Sequence, residues 1–321
     1  MRYNPALDGI RALAVLAVVC HHAFVPGFEN GRSGVDVFFV LSGFLITSLL
    51  AAEQHAGGIK LGAFYLRRAR RLYPALLLMV GLVMAFAPLW GAHAPTGADA
   101  SIAVFYLSDY AAAYGHLSET IKHTWSLAVE EHFYLLWPLC VMALCRMPRR
   151  TALSMLVLGY IVATGWRLHV ADNAGDWIAN YRFDTRLSGL LLGSLLAFLP
   201  ARKGWGWAVL PLGMLTALST DPMGITNIRA EWLGAALVMW ARSGAELLTW
   251  RPLPYLGRIS YGLYLFHWPI AMLFRESQTW PVILVASLGG GLVLASTSYG
   301  TVERAFRQRR RVGPAGATLG A

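Results

Sequence analysis

Charge is scarce in this chain: only 14% of its 321 residues are Asp, Glu, Lys or Arg, against about a quarter in an average soluble domain. A monomer this poor in charge would expose large apolar patches to water, which excludes an ordinary soluble globular protein. Cysteine is equally scarce. Cys20, Cys140 and Cys145 all lie inside apolar runs, which reads as small buried hydrophobes and excludes a disulfide framework or a thiolate metal site. No HExxH pattern accompanies the nine histidines, so no metal is expected. No small residue precedes Cys20, and the first apolar run carries Arg11, His21 and His22. A cleavable leader or lipoprotein signal is therefore not expected, and the run is read as a retained helix. Long polar stretches, Pro/Ser-rich linkers and internal repeats are also missing, which leaves one domain over 1–305. A basic, then Gly/Ala-rich tail over 306–321 is expected to be disordered.

What the chain has in quantity is hydrocarbon: 56% of its residues are hydrophobic and the mean hydropathy is +0.50. A membrane span needs about 20 mostly apolar residues. Apolar stretches occur at 9–25, 35–51, 72–90, 100–114, 126–145, 152–168, 184–200, 206–220, 229–246, 257–274 and 280–302. The short 100–114 stretch holds Asp109 and is read as re-entrant or interfacial. The expected fold is thus all-α, a polytopic bundle of about ten transmembrane helices. With that count, the segments 52–71, 146–151, 201–205, 247–256 and both termini fall on one side. They and the helix ends beside them collect about 20 of the 27 Lys and Arg. Arg32, Lys122, Arg167, Arg182, Arg186, Arg229 and Arg275 remain for the other side. The positive-inside rule then makes both termini cytoplasmic. It also assigns the net charge of +10 to orientation, so no nucleic acid is expected.

Charged groups inside a span cost several kcal/mol, so those present are functional candidates. Arg11 and His22 are eleven residues apart, about 20° past three full helical turns and about 16 Å along the axis. One face of the first helix therefore carries a cation at one end and an imidazole at the other, with Asp8 placed to pair with Arg11. A snorkelling arginine and an interfacial histidine would be the bland alternative. Glu130 and Glu131 sit near the head of a later apolar helix beside His132, where Ser126 is expected to cap it. Acids are welcome in a first turn, but two together ask for more than capping. Arg67, Arg68, Arg70 and Arg71 suit orientation, anionic lipid, or the phosphates of a nucleotide-bearing donor. Asp36, Ser126, Arg186 and His267 are further substrate or structural candidates, the last inside a span and turned from lipid.

The order of these segments resembles the acyltransferase-3 family. LDGIRALAVLAVVCHH, with Arg11 and His22, is similar to its basic-residue, ten-spacer, histidine motif. GVDVFFVLSGFLIT, FYLRRARRLYP, TWSLAVEEHFYLLWP and YGLYLFHWP follow in the family's order. YGTVERAFR resembles the closing motif, with Ala305 where many members have proline. The resemblance implies a ten-helix protein of the cytoplasmic (inner) membrane that moves an acyl group, usually acetyl, from cytoplasmic acyl-CoA to a hydroxyl. The acceptor would be an extracytoplasmic carbohydrate or a small molecule. It implies a catalytic role for His22, with Arg11 as motif partner, Glu130 or Glu131 orienting the imidazole, and an arginine-rich loop at 67–71 holding CoA. No cofactor would be permanently bound. With no hydrolase-like domain following, the chain resembles the stand-alone members. Direct transfer and an acyl-histidine intermediate both remain open. So does a rival reading as a transporter or flippase of a lipid-linked saccharide, although no inverted repeat is visible.

Overall fold

The computed structural model describes residues 3–201, 204–218 and 227–308; the tail from 309, with its expected disorder, lies outside them. Among the described residues there are helices and no strands. Five of these helices are long and apolar enough to cross a membrane, or six if a bent pair is counted as one span.

The first helix, α1 (Pro5–His22), starts where its sequence says it should. The Asn4 side chain accepts from Ala6 N–H, Pro5 takes the first turn, and Asp8 complements the positive end of the helix dipole. It is followed by α2 (Gly34–His55) and α3 (Leu61–Ala85). The arginines at 67–71 were expected in a loop. They are helical instead, because α3 begins eleven residues before the apolar run, at Leu61. Beyond Ala85 the chain bends by 80° into a turn over Ala87–His93. The stretch read as re-entrant forms two pieces, α4 (Gly97–Val104) and α5 (Ser108–Ala113), parted where Tyr106 adopts φ +56°. Neither is long enough to cross.

After these come α6 (Trp125–Leu144), α7 (Arg149–Ala174), α8 (Asp176–Tyr181), α9 (Leu187–Phe198), α10 (Val209–Ala217) and α11 (Asn227–Arg242). The last elements are α12 (Pro252–Phe274), α13 (Trp280–Ser298) and α14 (Arg304–Gln308), with a π turn over Tyr299–Glu303 joining the final two. Leu158, Ile161 and Val162 on α7, and Val285 and Val293 on α13, are exposed. Outward-facing aliphatic side chains on spans of this length are what a lipid-facing surface requires.

Helix pairs meet backbone to backbone. A Cβ at Gly257 of α12 would lie 1.9 Å from the Asp8 carbonyl oxygen of α1, and one at Gly193 of α9 would lie 1.9 Å from the Val40 carbonyl of α2. Only glycine allows these crossings, the usual way for membrane helices to gain contact where apolar burial adds little. The α1–α12 crossing fixes the site described below, since each helix carries one of its histidines.

α4 is anchored from outside the spans. The Asp99 carboxylate accepts from Thr96 N (2.8 Å), Thr96 Oγ1 (2.6 Å) and Ser118 N (2.9 Å). Burial alone would raise this carboxyl, but the hydrogen bonds outweigh it and hold it below the usual aspartate range. A depressed folded pKa adds stability that is present above the unfolded value and lost as pH falls through the acid range. Asp99→Ala should therefore cost about 2–3 kcal/mol, read as a lower melting temperature in detergent. The gap between variant and parent should narrow as the pH is lowered towards about 3.

Candidate functional site: two cavities sharing a wall

α1 ends at His22, and the crossing with α12 brings His267 against it. His22 Nδ1 lies 2.9 Å from His267 Nε2, with the ring centroids 5.2 Å apart and the ring planes within 6° of each other. His267, which is 0% exposed, places its Nδ1 3.0 Å from the Leu263 carbonyl oxygen. A carbonyl only accepts, so His267 Nδ1 carries the proton and its Nε2 presents a lone pair. His22 Nδ1–H must then donate to His267, which leaves His22 Nε2 as the basic nitrogen. Trp268 packs its ring 4.2 Å from that of His22, while its Nε1–H donates to the Glu119 carbonyl at 2.7 Å.

A third histidine joins through a proline. Pro269 has no N–H to give to the Leu265 carbonyl four residues earlier. His123 supplies one in its place, Nε2–H donating to that oxygen at 3.0 Å. With His267 behind them, His22 and His123, together with His21, line a cavity of about 280 Å³. Its wall includes the ion pair of Arg186 and Asp36 (2.7 Å), each 2% exposed. The Arg186 guanidinium lies 5.4 Å from both the Phe39 and Trp125 rings. Lys122 pairs with Glu119 and rests 4.6 Å from the Trp177 ring.

A second cavity, of about 160 Å³, is lined by Arg11, Arg68, Arg71 and Glu130 among apolar side chains of α2, α3 and α6. Arg68 sits 3.7 Å over the Tyr134 ring and 3.4 Å from Glu131; the Tyr134 hydroxyl bonds Ser42. Val35 and Tyr264 line both cavities. The Tyr264 hydroxyl donates to the His123 carbonyl at 3.0 Å and lies 2.7 Å from Ser126 Oγ.

Several expectations need correction. Glu130 and Glu131 do not orient His22: Glu131 pairs with Arg68 and Glu130 lines the arginine cavity, while His267 is the partner of His22. Ser126 does not cap α6, which begins at Trp125, so its hydroxyl falls inside the first turn and meets Tyr264. The four arginines divide. Arg68 and Arg71 line the cavity, Arg67 pairs with Glu53 on α2, and Arg70 is in neither lining. Arg11 pairs with Asp8 as its spacing predicts, but it faces the arginine cavity while His22 faces the other. His123, Trp268 and Tyr264 were missed. The one local signal was His123 standing directly before the Thr124–Trp125 start of a motif, and its partner carbonyl is 142 residues away.

The apolar helices and the crossing glycines, with a histidine pair where α1 meets α12, define an integral-membrane protein. The family described as an acyltransferase domain matches residues 4–299, and the chain belongs to it, as its motifs suggested. It is 30% identical to a Staphylococcus aureus (strain NCTC 8325 / PS 47) protein named O-acetyltransferase OatA, over 96% of this chain and 58% of that protein. It is 31% identical to a Bacillus subtilis (strain 168) protein named putative peptidoglycan O-acetyltransferase YrhL, over 95% of this chain and 55% of the relative. A Listeria monocytogenes protein named peptidoglycan O-acetyltransferase OatA is 28% identical over 96% of this chain and 56% of its own length. The chain thus spans a little over half the length of these relatives. No solved structure matches it.

Proposed function

We propose that this chain transfers an acyl group, acetyl by analogy with its relatives' names, from acyl-CoA in the arginine cavity to a saccharide hydroxyl in the histidine cavity. The observation that carries the reading is the shared wall: Val35 and Tyr264 border both a guanidinium-lined chamber and one holding an oriented base. Arg68 and Arg71 would hold the CoA phosphates. In this reading the chain crosses the cytoplasmic membrane ten times, with both termini and the arginine cavity towards the cytoplasm, where acyl-CoA is made.

His22 Nε2 takes the hydroxyl proton as the oxygen attacks the thioester carbonyl. The C–O bond forms, the C–S bond breaks, and CoA leaves as a thiolate that recovers the proton from His22. His267 steadies the imidazolium by accepting from its Nδ1–H. If the acyl group rests on histidine first, the same Nε2 is the nucleophile, and ping-pong kinetics distinguish the two routes.

The test is labelled acetyl transfer from acetyl-CoA in membranes carrying the chain. Label should enter envelope saccharide, and Arg68→Ala/Arg71→Ala should raise the KM for acetyl-CoA about 10-fold or more. Saccharide flux into sealed vesicles without labelled product, across a panel of acyl-CoAs, would replace this reading with a transporter.

A further inference from the structure

Two side chains belong to the linings of both chambers, Val35 and Tyr264, and both are buried. How firmly each is held decides what the shared wall lets through.

Tyr264 is fixed at its hydroxyl. Its one proton goes to the His123 carbonyl (3.0 Å), so the same oxygen accepts from Ser126 Oγ–H at 2.7 Å. The next carbonyl along α12, that of Leu265, takes the His123 ring N–H in return. This exchange between side chain and backbone runs in both directions, and it keeps the phenol ring from swinging aside. Val35 makes no such bonds, but its backbone is clasped. The preceding Gly34 lies so close to α1 that a Cβ would stand 2.3 Å from the Ala14 carbonyl oxygen. Further along α2, a Cβ on Gly43 would stand 2.0 Å from the Leu190 carbonyl oxygen of α9. A β-branched side chain on a helix held from two sides has one strongly preferred rotamer. One turn on from Val35, Phe39 of the arginine chamber packs edge-on, at 6.0 Å, against Trp125 of the histidine chamber. A wall packed in this way does not yield to a larger group without strain.

Resting on the proposed transfer, we infer that Val35 and Tyr264 set the length of the acyl group: acetyl is accepted and butyryl is refused. The nucleotide and pantetheine arm are identical in the two donors, so the arginines cannot tell them apart. The extra methylenes meet the wall, and the choice is made there.

The experiment compares acetyl-, propionyl- and butyryl-CoA, each labelled in the acyl group, in membranes carrying the full chain, with product read in envelope saccharide. By kcat/KM the parent should use acetyl-CoA at least about 10-fold better than butyryl-CoA, the scale on which a fixed pocket registers a methylene. Val35→Ala removes two methyl groups from the wall and should raise the butyryl-to-acetyl ratio about 10-fold. Tyr264→Phe keeps the ring but frees it from Ser126 and His123, and should move the ratio the same way. Val35→Ile adds a methylene and should lower the propionyl-to-acetyl ratio. Inhibition by desulfo-CoA, which carries no acyl group, should be equal in the parent and the variants. A merely structural role would lower all the rates together and leave the ratios alone. A parent indifferent to chain length, or ratios unchanged in all three variants, would overturn the inference. No product from any acyl-CoA with the parent would instead remove the transfer reaction itself, and this inference with it.

Discussion

Alanine at position 22 should lower acyl transfer by about 10³-fold or more while the protein still inserts and folds. His22 closes α1, and its ring is only part-buried. Truncation removes one hydrogen bond to His267 and one contact with Trp268, leaving the Gly257–Asp8 crossing of α1 and α12 intact. His22→Gln is the sharper variant, because a glutamine amide can still donate to His267 Nε2 but has no basic nitrogen. Both variants should elute and melt like the parent in detergent. Activity within 10-fold of the parent in either would remove His22 from the chemistry.

The second large effect is expected at a residue that touches no substrate. His267→Phe keeps an aromatic ring at this position but deletes the lone pair that receives the His22 Nδ1–H. His22 is then free to turn or to carry its proton on Nε2, where it cannot act as a base. We expect kcat to fall about 10²-fold, the size of losses when an orienting partner is removed, with KM for both substrates nearly unchanged. His267→Gln, whose side-chain oxygen can accept in place of Nε2, should recover part of the rate. A merely structural role predicts the opposite pattern: low yield, raised KM, and no advantage of glutamine over phenylalanine.

Local physics was enough to find His22 but could not find its partner. A polar residue in an apolar run is conspicuous on any helix, and the Asp8–Arg11 pair follows from one helical turn. His267 is 245 residues from His22, and no period or spacing relates them. Glu130 and Glu131 were conspicuous for the same reason as His22. Attaching them to it was an error of assignment, since a helix says which side chains are expensive without saying which neighbour offsets the expense. Asp36 and Arg186 were both noticed, yet their ion pair spans 150 residues. Hydropathy also misplaced helix ends. It reads where a chain is apolar, whereas α3 continues through its arginines because the backbone bonds continue there. α9 is 12 residues long, roughly 18 Å at the usual helical rise, which is short of a bilayer core.

Tyr264 and Val35 belong to both the arginine chamber and the histidine chamber, so the two share a wall. On the proposed chemistry, that shared wall changes what must cross the bilayer. Neither the nucleotide nor the sugar has to be translocated; an acetyl-sized fragment passes the partition, and each larger molecule leaves by the door it entered. The reaction is then vectorial by construction. Thioester cleavage on one face drives ester formation on the other, without a gradient, a flippase cycle or ATP hydrolysis at the site.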